Sequence, residues 1–168
     1  MAPPLPKSAS FGLLLIRIMV GVVFIFHGCQ LLFGAWGGPG LDGFAGYLET
    51  IGVPYSHTSA LLSALAEFVG GISLVTGAFM RLMAVPLVFN MLVAIGTAHA
   101  GKGFDSQKGG FEYPLTLAVV VVGLAIAGPG AYSIMRRRER CGARAVPLGD
   151  RPTSLRPDCW PARAGFRA

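Results

Sequence analysis

The sequence predicts an all-α integral membrane protein, a four-helix bundle with antiparallel helices and both termini in the cytoplasm. The first observation is composition: the chain of 168 residues is 53% hydrophobic and only 13% charged, with a mean hydropathy of +0.61. Soluble domains carry about 25% charged residues, so this chain lacks the polar side chains that cover a globule in water. In addition, the apolar residues form runs of membrane-spanning length, and Arg is concentrated after the last run.

Four apolar runs define the predicted membrane domain, residues 11–133. About 20 residues cross a bilayer core, and the predicted spans are 11–33, 59–80, 82–100 and 113–130. The first run is too long for the core of a signal peptide, so we expect an uncleaved helix. Gly77 and Arg81 mark a tight turn between the second and third spans, and Pro114 suits the first turn of the fourth. In the first loop, DGFAGYLETIG predicts a short surface helix.

The positions of the basic residues predict the orientation, because cytoplasmic segments next to spans are enriched in Lys and Arg. The whole net charge of +6 lies after Ile134, where MRRRERCGAR follows the fourth span. With an even number of spans, the N-terminal segment 1–10 and the turn at Arg81 share the cytoplasmic side with this basic tail. The two longer loops then face outward. The tail, residues 134–168, lacks apolar periodicity and is predicted to be disordered.

Charge and cysteine content exclude several classes of function. Residues 1–134 carry five basic and five acidic side chains, so we do not expect this part of the chain to bind nucleic acid. A basic tail beside a membrane indicates topology or anionic lipid instead. Cys29, Cys141 and Cys159 form no CxxC motif. Disulfide frameworks, thiolate zinc sites and thioredoxin-like chemistry therefore lose support, and no metal site is predicted.

Polar side chains interrupt the apolar runs, and in the predicted topology most of them share the outer half of the membrane. These residues are His27, Gln30, Glu67, His99 and Glu112. An ionised group costs at least about 2.5–3.5 kcal/mol at a helix centre, so Glu67 should face the bundle interior with a partner or stay protonated. His27 is the candidate partner nearest in depth. Arg17, in the inner half, could either snorkel to the inner interface or reach toward Glu67.

Helical geometry refines this expectation. Arg17 precedes His27 by ten residues, a rise of about 15 Å along a helix. At about 100° per residue, Arg17, His27 and Gln30 fit one face about 140° wide. Asn90 and His99 would lie about 180° apart on a continuous helix. We therefore expect only one of them to face inward, and we favour His99.

An ordered set of segments carries a resemblance to a known family. The segments are RIMVGVVFIFHG followed by FG, GGPGLDGFAGYL, ALAEFVGG, TGAFMRLMA, GGFEYPL and GPGAYS. Together they cover residues 11–133, and they resemble the DoxX family of bacterial and archaeal four-helix membrane proteins. The resemblance assigns six residues to motif positions: Arg17, His27, Glu67, Arg81, Glu112 and Tyr113. Leu31 and Leu32 stand where the family often has Lys, so this chain departs from the pattern there.

The resemblance implies redox chemistry at the bacterial inner membrane, since family members are linked to thiosulfate:quinone oxidoreductase and to redox-stress membrane complexes. We expect a subunit of a membrane oxidoreductase complex that handles quinone or coupled protons. In this hypothesis Glu67 and His27 are catalytic, because a buried carboxyl can pass a proton to a quinone oxygen and an imidazole can donate to it. The quinone or polar pocket would be completed by Arg17, Gln30, His99 and Glu112.

Other interpretations stay open. In a non-catalytic scaffold or anchor for a soluble redox partner, the polar groups would only fix helix register. A b-type haem held by His27 and His99 is disfavoured, because their predicted depths differ by a few ångströms. A transporter is disfavoured because no pair of broken helices occurs in corresponding halves. The expected partners are the lipid bilayer, a soluble redox enzyme or another membrane subunit, and a second copy of the chain.

Overall fold

The computed structural model describes residues 7–99, 101–130 and 132–134, and every regular element within these ranges is helical. The α-helices are α1 (Lys7–Phe33), α2 (Gly40–Thr50), α3 (Ser56–Thr76), α4 (Met80–Thr97) and α5 (Glu112–Ala127). Two short 3-10 helices, Ala35–Gly37 and Ser106–Lys108, lie in the connections. The predictions for residues 1–6 and for nearly all of the tail, 135–168, fall outside the described residues.

Three of these helices are long and apolar enough to cross a membrane. They comprise Ser8–Phe33, Ser56–Thr76 and Met80–Thr97, with 26, 21 and 18 residues. The fourth apolar helix, α5, is shorter at 16 residues. It begins at Glu112 and ends before Gly128, where the chain takes φ +80°. The predicted all-helical fold class is confirmed by these helices.

The connection between α3 and α4 is as tight as the sequence predicts. Helix α3 ends at Thr76, and Gly77 follows with φ +70° while its N–H donates to the Ser73 carbonyl, 2.8 Å away. This left-handed conformation suits glycine, which has no Cβ to clash with the preceding turn. Helix α4 then starts at Met80, so Arg81 belongs to its first turn.

Helices α1 and α3 approach each other closely along glycines. A Cβ on Gly21 would lie 2.9 Å from the carbonyl oxygen of Gly71, and a Cβ on Gly28 would lie 2.7 Å from the backbone nitrogen of Phe68. Real Cβ atoms do not come this close to backbone atoms. The glycines therefore allow a seam between the helices, here called the α1–α3 seam, of the kind that drives helix association in lipid.

One apolar core joins the four long helices. Its most deeply buried members are Phe24 of α1, Leu74 of α3, Leu87 of α4 and Val121 of α5. Helix α2 lies apart from this core and packs through Ala45 and Leu48 against the start of α3. The short helix predicted in the first loop is thus present and rests on the end of the membrane domain.

Candidate functional site

Arg17 of α1 is completely buried, with 1% of its surface exposed, and is held by backbone carbonyls. Its Nε donates to the Leu74 oxygen at 3.0 Å and its Nη2 to the Val75 oxygen at 3.2 Å, while Nη1 donates to the Pro129 oxygen. Leu74 and Val75 lie in the last turn of α3, where carbonyls have no partner within the helix. The guanidinium also carries the charge that complements the negative end of a helix dipole.

The surroundings of Arg17 tie α1 to the ends of α3 and α5. Pro129 follows α5, and the Ser133 hydroxyl donates to the Gly77 carbonyl at 3.0 Å. We call Arg17 and its carbonyl acceptors the arginine clamp. Of the two alternatives for Arg17, the one in which it reaches toward Glu67 is wrong, because its side-chain nitrogens donate to the backbone carbonyls of the clamp. The structure therefore separates Arg17 from the residues predicted to form a pocket with it.

A cavity of about 160 Å³ lies between α1, α3, α4 and α5. Its walls are mostly apolar, and four of its lining side chains carry polar groups: His27, Glu67, His99 and Tyr113. The structure thus brings together three of the predicted site residues, from α1, from α3 and from the end of α4. Of the five residues predicted to share one level of the helices, these three line one space. We call this space the Glu67 cavity.

Glu67 is 7% exposed, and its two carboxyl oxygens have different surroundings. Oε1 accepts a hydrogen bond of 2.9 Å from Nδ2 of Asn90 on α4. The Ser63 hydroxyl, one turn before Glu67 on α3, donates to Asn90 Oδ1 at 2.7 Å. This second bond orients the amide so that its NH₂ group faces the carboxyl. Oε2, in contrast, is buried and has no hydrogen-bond partner among the described residues.

Asn90 corrects the expectation that His99 alone would face inward. That expectation assumed a continuous helix, but α4 ends at Thr97, and the N–H groups of Ala98 and His99 both donate to the Ala94 carbonyl. This tight turn redirects His99 into the Glu67 cavity, where its Nδ1 lies 2.6 Å from the Gly109 oxygen. Asn90 and His99 can therefore both face inward. The signal for Asn90 was an amide in an apolar run, which needs a buried partner.

His27 lines the Glu67 cavity without pairing directly with Glu67. Its Nδ1 lies 3.3 Å from the Val23 carbonyl of the preceding turn, and its ring centroid is 6.3 Å from that of Tyr113. The carboxyl of Glu67 accepts its hydrogen bond from Asn90 and not from His27, the partner that the sequence suggested. Tyr113 entered the sequence prediction only through a family motif, and the structure adds it to the cavity wall.

Gln30 and Glu112 do not line the Glu67 cavity. Gly38 packs directly on Gln30: a Cβ on Gly38 would lie 2.6 Å from the Cβ of Gln30. Glu112 Oε2 accepts from the backbone N–H of Ser106 at 3.3 Å, which ties the start of α5 to the preceding connection. Gln30 and Glu112, both predicted to line the pocket, thus contact residues of the connecting loops instead. Within residues 7–99, 101–130 and 132–134, no three His, Cys, Asp or Glu side chains form a cluster suited to a metal ion.

Comparisons with known proteins place this geometry in a family context. The DoxX family model matches residues 12–100, which carry α1 to α4. The Escherichia coli (strain K12) inner membrane protein YphA is 32% identical over 133 residues, covering 74% of this chain and 89% of YphA. The E. coli inner membrane protein YqjF is 33% identical over 135 residues, covering 77% of this chain and 94% of YqjF.

A relative with a more specific name is "Putative oxidoreductase CatD" of Bacillus subtilis (strain 168). It is 27% identical over 122 residues, covering 73% of this chain and 83% of CatD. No solved protein structure matches the chain significantly.

Proposed function

The chain belongs to the DoxX family and is a multi-pass protein of the bacterial inner membrane, and from this premise we propose that it is a subunit of a membrane oxidoreductase complex that handles quinone or coupled protons. The name of CatD, a putative oxidoreductase, supports a redox role at the level of the family. The observation that carries the proposal is the Glu67 cavity. It combines an apolar wall with a buried carboxyl that has one oxygen without a partner.

The proposed architecture is an antiparallel four-helix bundle with both termini in the cytoplasm. Contacts along the α1–α3 seam support it, because Gly21 meets Gly71 whereas the later Gly28 meets the earlier Phe68. At the other pair of helices, Arg81 near the start of α4 donates to the Ala125 carbonyl near the end of α5, at 3.2 Å. With the basic tail inside, the arginine clamp lies toward the cytoplasm and the Glu67 cavity toward the outer face.

In this proposal the chain supplies protons and a mostly apolar binding site, and a partner supplies electrons. Reduction of a quinone to a quinol takes two electrons and two protons. The electrons come from a soluble redox enzyme or another membrane subunit. Oε2 of Glu67 is the atom that gives a proton to the quinone oxygen or takes one from a quinol. His27 and His99 can return protons to it, since each keeps its Nε2 free of the backbone contacts made by Nδ1.

The test is quinone reduction by the native complex, isolated in mild detergent with its components identified. Glu67→Gln and His27→Ala should each lower the rate, by about 10²-fold or more if the group acts as a general acid or base. Gln30→Ala is the matched control, a polar residue one turn beyond His27 that lies outside the cavity wall. Full activity in both cavity variants would remove Glu67 and His27 from the mechanism.

A non-catalytic scaffold or anchor for a soluble redox partner is the second candidate. The Ser63–Asn90–Glu67 chain of hydrogen bonds favours it, because these bonds join α3 to α4 and can fix helix register by themselves. In that case the soluble enzyme co-purifies with the chain. Asn90→Leu, which removes the bond between α3 and α4, then lowers the thermal stability of the complex, and neither this variant nor Glu67→Gln changes the partner's turnover.

A further inference from the structure

We infer that the Glu67 cavity accepts one six-membered ring through its hydroxyl or carbonyl oxygen, and that it selects single-ring phenols and quinols over fused two-ring ones. This inference rests on the proposed function, because it names the class of quinone that the site would take. It needs no electron transfer, however, and concerns binding alone.

The size of the cavity sets the limit of one ring. Its volume is about 160 Å³, and an apolar protein cavity of about 150 Å³ is known to hold one benzene molecule. The cavity is partly open, so this limit applies to a ring held against the buried walls, where a second fused ring would have to displace side chains. Three of those that close the space are buried and come from different helices: Phe24, Met91 and Leu117.

The carboxyl of Glu67 sets the chemistry of the bound group. Oε1 is occupied by Asn90, and the Ser63 bond keeps that amide from turning, so Oε2 is the oxygen left to pair with a ligand. As a carboxylate, Oε2 accepts from a hydroxyl; as a carboxylic acid, it donates to a carbonyl. A quinol and its quinone present these two groups at the same ring position, so one site can hold both forms.

Asn90 acts in this scheme as a positioning residue. Asn90 donates a hydrogen bond to Glu67 and does not line the cavity. It can therefore affect a ligand only by positioning the Glu67 carboxyl. Asn90→Leu removes the amide donor and frees Oε1 to compete for the ligand. We expect weaker phenol binding and a broadened infrared band of the Glu67 carboxyl, a signature that a change in packing alone would not produce.

The experiment measures binding of phenol and 1-naphthol to the purified full chain in detergent, by infrared difference spectroscopy of carboxyl bands. The two probes carry the same hydroxyl, differ by one ring, and are used without electron donor or partner. Phenol should shift a Glu67 band and bind about tenfold tighter than 1-naphthol, after correction for partition into detergent. Glu67→Gln should abolish the band and weaken phenol binding about tenfold, the scale of one hydrogen bond to a charged group. Gln30→Ala should change neither.

A variant that gains binding tests the inference without relying on a loss of binding, which misfolding could also cause. Met91→Ala enlarges the cavity and should admit 1-naphthol, so that the preference for phenol is lost or reversed. The inference is overturned if phenol shifts no Glu67 band, or if 1-naphthol binds the unchanged chain as tightly as phenol with the same band shift. If phenol binds as expected but the native complex does not reduce quinone, the proposed function fails and the binding site stands.

Discussion

Arg17 and Glu67 are both ionisable side chains buried among the same apolar helices, but they differ in how completely their polar atoms are hydrogen-bonded. Each nitrogen of the Arg17 guanidinium has at least one backbone carbonyl acceptor. The carboxyl of Glu67 has a partner for Oε1, whereas Oε2 has none within the described part of the chain. Burying a polar group without a hydrogen-bond partner costs free energy. Hydrogen bonds offset this cost at every nitrogen of Arg17 but at only one oxygen of Glu67.

This difference distinguishes a structural charge from a candidate functional one. The arginine clamp connects α1 to the ends of α3 and α5, and every guanidinium nitrogen already donates to a backbone carbonyl. Glu67 has one carboxyl oxygen without a partner in the described part of the chain, and its side chain lines a space large enough for a ring. Two substitutions that each remove one charge should therefore have very different consequences for stability.

The largest loss of stability is expected for Arg17→Gln. A glutamine amide is too short to reach the same carbonyls on two helix ends, and the carbonyls that remain unsatisfied should lower the free energy of unfolding by about 3–5 kcal/mol. Reversible unfolding in mixed detergent micelles measures this. Arg81→Gln is the control, because Arg81 is exposed and makes one carbonyl bond of 3.2 Å. Equal losses in the two variants would mean that the clamp has no special structural role.

An intermediate loss of stability is expected for Gly28→Ala, in the α1–α3 seam. The new methyl group would meet the backbone of Phe68 at 2.7–2.8 Å, and overpacking of this kind costs about 1–3 kcal/mol. Gly123→Ala, on an open face of α5 where a Cβ meets nothing within 4 Å, should leave unfolding unchanged or improve it slightly. If both variants unfold alike, close approach at the seam does not stabilise the domain.

The smallest change is expected for Glu67→Gln. Its side-chain oxygen can still accept from Asn90, so the bond between α3 and α4 is kept. Hydrogen bonds between helices in membranes contribute on average about 0.6 kcal/mol, and the free energy of unfolding should change by no more than this. The same micelle titration applies. A loss comparable to that of Arg17→Gln would show that Glu67 is as structural as the arginine.

The sequence predicted the features that depend on solvent. Apolar runs made the helices predictable. The meeting of His27, Glu67 and His99 followed from their depths alone. These inferences succeed because lipid imposes the same requirement on every segment that it surrounds.

The details that were missed depend on where helices end. The acceptors of Arg17 are backbone carbonyls, which every residue has, so no sequence pattern marks them. Asn90 was misjudged because a helical wheel assumes that α4 continues to His99, whereas it stops at Thr97. Gln30 and Glu112 are engaged by Gly38 and Ser106 of the connections. Loop contacts of this kind are not visible in apolar periodicity.

The arginine clamp has a consequence for biosynthesis. Its acceptors lie 57 residues further along the chain at Leu74 and 112 residues further at Pro129. While the ribosome is still making the later helices, the first helix must therefore enter the membrane with a cation whose final neighbours do not yet exist. That charge lacks its final acceptors until α5 and Pro129 have been synthesised, so the first helix can take its final position only after α5 has emerged.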